Sequence, residues 1–343
     1  MSTSAEFEVY LVPPILGNYE RVEWTIEEGE WAYDPELLWG VYGESWRQLF
    51  CTIEILRKTP AFLGSFYKED EFWNLCKHLE RMDRLREKAI MLDSGAYTAW
   101  TKGVKIDINK YIDFIHMVRE RFMFGSFHVV NLDVIPGSYN RQKNLTAGNI
   151  NHAVKTSLKN YRKMKESGID DVVAVHHYPE TLEHLKMILN DEPLYLGLGG
   201  VAGSKEKKEI RRWFDKVFQY LDKADFKSPI HGFGVSAPTI IEEYPLSSVD
   251  SSSLVLGSGY GQVFIFDSDK EPKFKSYYVS SLEEKKVKKE NLDYVLERTR
   301  VEAFKVDRDG LDEHWTRLLV NFENWLAYVN YLKKKKSPTK SEF

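Results

Sequence analysis

The chain has 343 residues, 43% of them hydrophobic, 29% charged and 14% aromatic, with a formal net charge of −4. That balance fits a globular protein with a sizeable core. It excludes a disordered chain and a uniformly basic nucleic-acid binder, although a local basic patch stays open. No apolar run reaches the ~18 residues of a membrane span, the first residues lack a secretory pattern, and the two cysteines, Cys51 and Cys76, supply no zinc cluster and suit a reducing, cytoplasmic setting.

In chain order, residues 1–58 read as an irregular, Trp-rich N-terminal cap. Between residues 59 and 280, short β-rich runs alternate with amphipathic helical stretches, the pattern of βα units around a parallel sheet. The predicted strands are Ala61–Phe66, Ala89–Leu92, Phe127–Leu132, Val172–His176, Leu194–Leu198, Ile230–Val235, Ser248–Ser251 and Val263–Phe266. Helical patterns lie between them at Ile108–Arg121, Ile150–Ser167 and Glu206–Asp222, with Gly168 as a C-cap and Pro179 in a first helical turn. Eight strands in series predict an α/β fold of the (β/α)8 TIM-type barrel class rather than an open sheet; Val263–Phe266 is the weakest of them. Residues 281–333 read as a helical C-terminal region with apolar spacing at Leu292, Val295, Leu296 and then Trp315, Leu318, Leu319, Phe322, Trp325. Residues 334–343 read as a disordered tail.

In a parallel barrel the C-terminal strand ends meet on one face. The predicted strands deliver Asp93-Ser94-Gly95, Asn131-Leu132-Asp133, His176-His177, Gly199-Gly200-Val201-Ala202-Gly203 and Asp250-Ser251-Ser252-Ser253 to that face. A lone aspartate after a strand is more often a helix cap or turn residue, and a glycine run is more often a tight turn. Three carboxylates at one mouth are harder to explain that way, because burying them is costly unless they are paired or used. Two carboxylates flanking an anomeric carbon are the recurring tool for cleaving a glycosidic bond. A third accepts N–H bonds from a purine edge, and Tyr97 lies one turn beyond Asp93. A metal is the rival use, but no H-x-x-x-H or H-E-x-x-H spacing supports one, and adjacent histidines on a strand point oppositely.

The motifs "LDSGAY", "NLD", "VHH", "LGLGGVAG" and "VDSSS" occur in the order found in tRNA-guanine transglycosylases and their DNA-modifying relatives, and from Ala61 to Asp267 the chain resembles that family. The resemblance implies a barrel that exchanges guanine for a 7-deazaguanine derivative without breaking the strand. It makes Asp250 the nucleophile and Asp93 the general acid/base, with Ser94 beside it. It makes Tyr97 the aromatic that stacks on the base and Asp133 the reader of the guanine N1 and N2 edge. Gly199, Gly200, Val201 and Ala202 become the turn whose backbone contacts the base. His176 falls where the family carries a base-reading glutamine, which implies an altered base preference or a different route to O6.

A larger departure is the missing zinc module: no cysteine follows Tyr260. The zinc-free version is similar to phage-type DNA 7-deazaguanine transglycosylases, which implies DNA as polymer substrate and a free base such as preQ0, masking DNA from restriction in a host cytoplasm. It implies base flipping, no cofactor, no metal and a protein of a kind that often forms homodimers; the absence of a membrane partner is read from the apolar runs instead. Lys205, Lys207, Lys208, Arg211 and Arg212 follow the glycine turn as candidate phosphate contacts, against the alternative of a solvated helix face. Exchange in tRNA, a barrel glycosidase, and a nucleic-acid binding module without catalysis stand as the competing readings.

Overall fold

The computed structural model describes residues 7–12, 46–136, 146–201, 207–280, 289–299, 301 and 306–336. In chain order its first elements are β1 (Glu8–Leu11), α1 (Trp46–Lys58), β2 (Ala61–Ser65), α2 (Glu69–Arg81), β3 (Ala89–Asp93), α3 (Ala96–Thr101) and α4 (Ile108–Arg121). Next come β4 (Ser126–Val130), α5 (Ala147–Glu166), β5 (Val172–His177), α6 (Leu182–Leu189), β6 (Tyr195–Gly199), α7 (Lys207–Lys223), β7 (Ile230–Gly232), α8 (Pro238–Glu243) and β8 (Ser248–Ser251). The last are α9 (Ser253–Gly259), β9 (Gln262–Phe266), β10 (Phe274–Tyr278), α10 (Lys289–Arg298) and α11 (His314–Lys336). The chain divides into two compact units, Met1–Val12 with Pro60–Ser251, and Pro13–Thr59 with Ser252–Phe343.

The first unit holds a closed barrel of eight parallel strands in the order β1 to β8, with β8 pairing back onto β1. This is the predicted α/β TIM-type barrel. Its interior is a cluster of Tyr10, Ala61, Ala89, Met91, Val130, Val173, Val175 and Tyr195. Side chains alternate along a strand, so the outward set, including Ile90, Leu92, Val172, Ala174, Leu196 and Leu198, is buried as well. Strands apolar on both faces are what a parallel sheet under helices requires. Each fully buried Val, Leu or Met contributes roughly 1.5–3 kcal/mol.

Two helices show how the outer layer forms. Asp107 caps α4 by accepting from the Asn109 N–H at 2.8 Å, and Tyr111, Ile112, Phe114, Ile115 and Val118 form its buried stripe. On α7 the buried positions are Ile210, Trp213, Phe214, Val217 and Leu221, again one face of a helix.

The second unit packs β9 antiparallel to β10 and buries Val263, Ile265, Val279, Leu292, Val295, Val306, Leu311 and Val320. Asn321 and Asn324 on α11 accept from the backbone N–H groups of Phe264 and Phe266 at 2.7 and 3.0 Å, occupying donors of β9.

Four expectations are corrected. Val263–Phe266 is not a barrel strand: it forms a hairpin with Phe274–Tyr278, across the charged connection Asp-Ser-Asp-Lys-Glu-Pro-Lys. The barrel takes Glu8–Leu11 instead, a four-residue strand inside the segment read as a cap. The tail read as 334–343 is helical as far as Lys336. Pro179 precedes rather than opens its helix, which starts at Leu182 under a Thr181 cap. Among the described residues, no helix is long and apolar enough to cross a membrane.

Candidate active site

The alternation that buries Ala89 and Met91 carries Asp93 to the inner face at the C-terminal end of β3. The same parity on β5, through Val173 and Val175, carries His177 there. On β8 it brings Asp250, whose register partner on β1 is the inward Tyr10. Ser65 ends β2 opposite Asp93, and Gly199 ends β6 opposite His177.

Asp133 lies beyond β4 and is held by α5. Ser157 accepts from the Val134 N–H at 2.8 Å and takes a bond from the Asn131 amide at 3.0 Å, while the Asn160 amide donates to the Leu132 carbonyl at 2.7 Å. The Tyr111 hydroxyl is shared between the carbonyls of Leu92 and Val130 at 3.0 and 2.9 Å, tying β3 to β4 just before their acidic ends.

Two of the carboxylates act on the third. Burial and then the charge of Asp133 push the Asp93 carboxyl up to about 7; Asp250 adds to the rise, while the Gly95 and Ser94 N–H groups oppose it. Asp93 Oδ2 accepts from the Gly95 N–H at 2.9 Å. Gly95 has φ +79°, and a Cβ there would lie 2.3 Å from Tyr67 Cβ, so the turn needs glycine. His177 Nε2 lies 2.7 Å from Asp133 Oδ2. Burial disfavours the imidazolium, but Asp133, Glu180 and Asp93 outweigh it and lift His177 to about 9. Burial also works against the Glu180 charge, yet His176, His177 and the His177 N–H hold its carboxyl below the usual range.

Asp250 Oδ1 accepts from the Gly234 N–H at 2.7 Å and lies 3.2 Å from His231 Nε2. The Ser65 hydroxyl, buried beside Asp93, has no hydrogen-bond partner among the described residues.

Of the sequence-predicted set, Asp93, Asp133, Asp250, Gly199 and Gly200 gather at one mouth. Ser94 contributes its backbone N–H to Asp93, while its hydroxyl accepts from the Ala96 N–H at 3.3 Å. Tyr97 stands exposed on α3, 5.9 Å from the Trp100 ring. Val201 is buried; Ala202 and Lys205 lie outside the described residues, as does the Lys207 side chain. Lys208 is exposed, and Arg211 and Arg212 pair with Glu243 and Glu209 at 2.5 Å each. Such surface pairs are weak and leave the guanidinium groups exchangeable.

His176 is corrected. Its parity turns it outward, where it stacks on Trp213 of α7 at 5.4 Å with Nδ1 2.9 Å from Glu180 Oε2. His177 is the histidine at the mouth. Sequence reasoning also missed His231 and Gly234, having drawn that strand through Val235. The signal was the glycine spacing of "HGFG": Gly234, at φ +64°, turns its N–H onto Asp250.

Comparison with models of known protein families gives no match, and comparison with curated protein sequences gives none.

Proposed function

We propose that this chain is a base-exchange transglycosylase that replaces guanine in DNA with a 7-deazaguanine derivative, through a glycosyl ester on Asp250. The observation that carries the reading is the convergence of Asp93, Asp133 and Asp250 on one barrel mouth, with the Asp93 carboxyl at about 7. A group that must give a proton to one base and take one from the next works best with its midpoint near working pH. The order of the acidic and glycine motifs supports the purine as the base.

The target guanine leaves the stack and enters the mouth. Asp250 attacks C1′. The C1′–N9 electron pair leaves with guanine, which takes the proton of Asp93. The incoming 7-deazaguanine returns a proton from N9 to Asp93, bonds to C1′ and displaces Asp250 as a carboxylate. Two inversions retain the sugar configuration. The base lies over the Gly199–Gly200 backbone. Asp133 has one oxygen engaged by His177, so its other oxygen reads the purine N–H groups, and His177 supplies a donor for O6. The Ser65 hydroxyl is a further contact for the base or sugar.

The test is nucleoside mass spectrometry of DNA and of tRNA incubated with the protein and a panel of free bases. The reading predicts a 7-deazaguanine nucleoside in DNA. Incorporation into tRNA alone moves the substrate to RNA. Guanine loss without replacement makes the chain a hydrolase.

A further inference from the structure

The nucleophile proposed above is held through one oxygen. Gly234 N–H and His231 Nε2 both engage Oδ1 of Asp250, at 2.7 and 3.2 Å, and among the described residues no hydrogen bond reaches Oδ2. Behind Asp250, His231 Nδ1 lies 2.6 Å from Ser248 Oγ, which lies 2.5 Å from the Tyr195 hydroxyl. The His231 ring is fully buried, edge-on to Tyr10 at 5.6 Å and to Phe233 at 4.3 Å.

This constellation has the membership of a Ser-His-Asp triad, but its depth is reversed. Ser248 sits two residues below Asp250 on the same inward face of β8 and is buried. Its hydroxyl therefore faces the barrel interior, and the aspartate faces the mouth. An ionised carboxylate only accepts, so the hydrogen between His231 and Asp250 belongs to Nε2. Ser248 and the two aromatic rings fix the plane of the imidazole, and with it the direction of that hydrogen.

We infer that His231 is a positioning residue. With the Gly234 N–H it locks Oδ1 of Asp250, so that Oδ2 is the atom that attacks C1′. The inference rests on the reading of Asp250 as nucleophile. In the first half-reaction an Oδ2 lone pair forms the bond to C1′, while the C1′–N9 pair leaves with the base. Oδ1 then becomes the ester carbonyl, still facing both donors. In the second half-reaction the C1′–Oδ2 pair returns to Asp250, and two donors on Oδ1 favour the departing carboxylate.

The test compares wild type, His231→Gln, His231→Phe and Ser248→Ala by crystal structure and by single-turnover guanine release from an oligonucleotide. Gln keeps a donor near Nε2, Phe keeps the ring without one, and Ser248→Ala removes the tether behind the ring without touching Asp250. His231→Phe should slow release roughly 10- to 100-fold, the worth of a hydrogen bond to a charged group, with KM for the oligonucleotide unchanged. His231→Gln should recover most of that rate. In the structures, the Asp250 carboxylate should turn in His231→Phe and keep its wild-type plane in His231→Gln. Wild-type release by His231→Phe, or equal losses in the Phe and Gln variants, overturns the inference; so does an unturned carboxylate in His231→Phe. Should the Phe variant fail to fold, Ser248→Ala decides, with the same loss and turned carboxylate expected in smaller degree and wild-type behaviour overturning the inference. A wild-type protein that releases no guanine from DNA or RNA defeats the functional reading alone, and the carboxylate orientations still decide the role of His231.

Discussion

His177 and Asp133 form a part-buried ion pair, Nε2 to Oδ2 at 2.7 Å, across the ends of two barrel strands adjacent in the sheet. The pair explains how the mouth tolerates three carboxylates. One is neutralised by His177, another is pushed towards its protonated form, and the third is held by Gly234 and His231. Removing His177 leaves Asp133 beside Asp93 without its counter-charge, at a cost of about 3–5 kcal/mol.

The pair also fixes a pH dependence. The folded-state value of His177, about 9, exceeds its ordinary 6.5, so its stabilisation is present in full below 6.5 and is lost as pH rises through about 9. Thermal melts between pH 6 and 10 should fall more steeply for wild type than for His177→Gln. Parallel curves would remove the ion pair from the account.

The burial that suits Asp93 to the proposed proton transfer works against the fold. Its carboxyl is raised from 3.8 to about 7, so its contribution is full below 3.8 and lost as pH rises through about 7. Asp93→Asn should therefore raise stability at pH 8 by on the order of 4 kcal/mol and leave it unchanged near pH 3. The same variant should lower base exchange by at least about 100-fold. Denaturant titrations at the two pH values, beside exchange rates, check both halves.

Gly200 holds φ +78°, and a Cβ there would lie 2.6 Å from the Tyr178 carbonyl oxygen. Gly200→Ala should cost about 1–3 kcal/mol in backbone strain and displace the Tyr178 backbone that follows His177. Urea unfolding measures the first effect, and the pH-dependent melt described for His177 should flatten with the second.

In the second unit, Asn321 accepts from the Phe264 N–H at 2.7 Å and donates to the Leu254 carbonyl at 3.0 Å. Asn321→Leu strands both groups away from water, for about 2–4 kcal/mol. Denaturant unfolding followed by tryptophan fluorescence checks this; a loss under 1 kcal/mol would contradict the bonding read here.

The barrel was legible because apolar runs alternate with amphipathic helices, and because β3 and β5 each run from apolar residues into a polar one, Asp93 and His177. Asp93 follows from that pattern; Asp250, in the short strand Ser-Val-Asp-Ser, was singled out by its motif. His177 was within reach of the same logic: Val173, Val175 and His177 share a face, and motif register rather than alternation selected His176. Glu8–Leu11 escaped because four residues carry little periodic signal, while Val263–Phe266, the weakest of the predicted strands, is a strand but not one of the barrel's. What distinguishes the two is the partner each finds. His231 and Gly234 escaped for another reason: a histidine inside an apolar strand reads as packing until its neighbours across the sheet, Ser248 and Asp250, are known.

The most direct test of the account is intact-protein mass spectrometry after rapid denaturation of the protein mixed with a guanine-containing oligonucleotide. A species of protein plus oligonucleotide minus guanine is predicted, absent from Asp250→Asn and discharged by free 7-deazaguanine. Exchange of labelled guanine by Asp250→Asn at the wild-type rate, or guanine release by wild type with no such adduct, would contradict it.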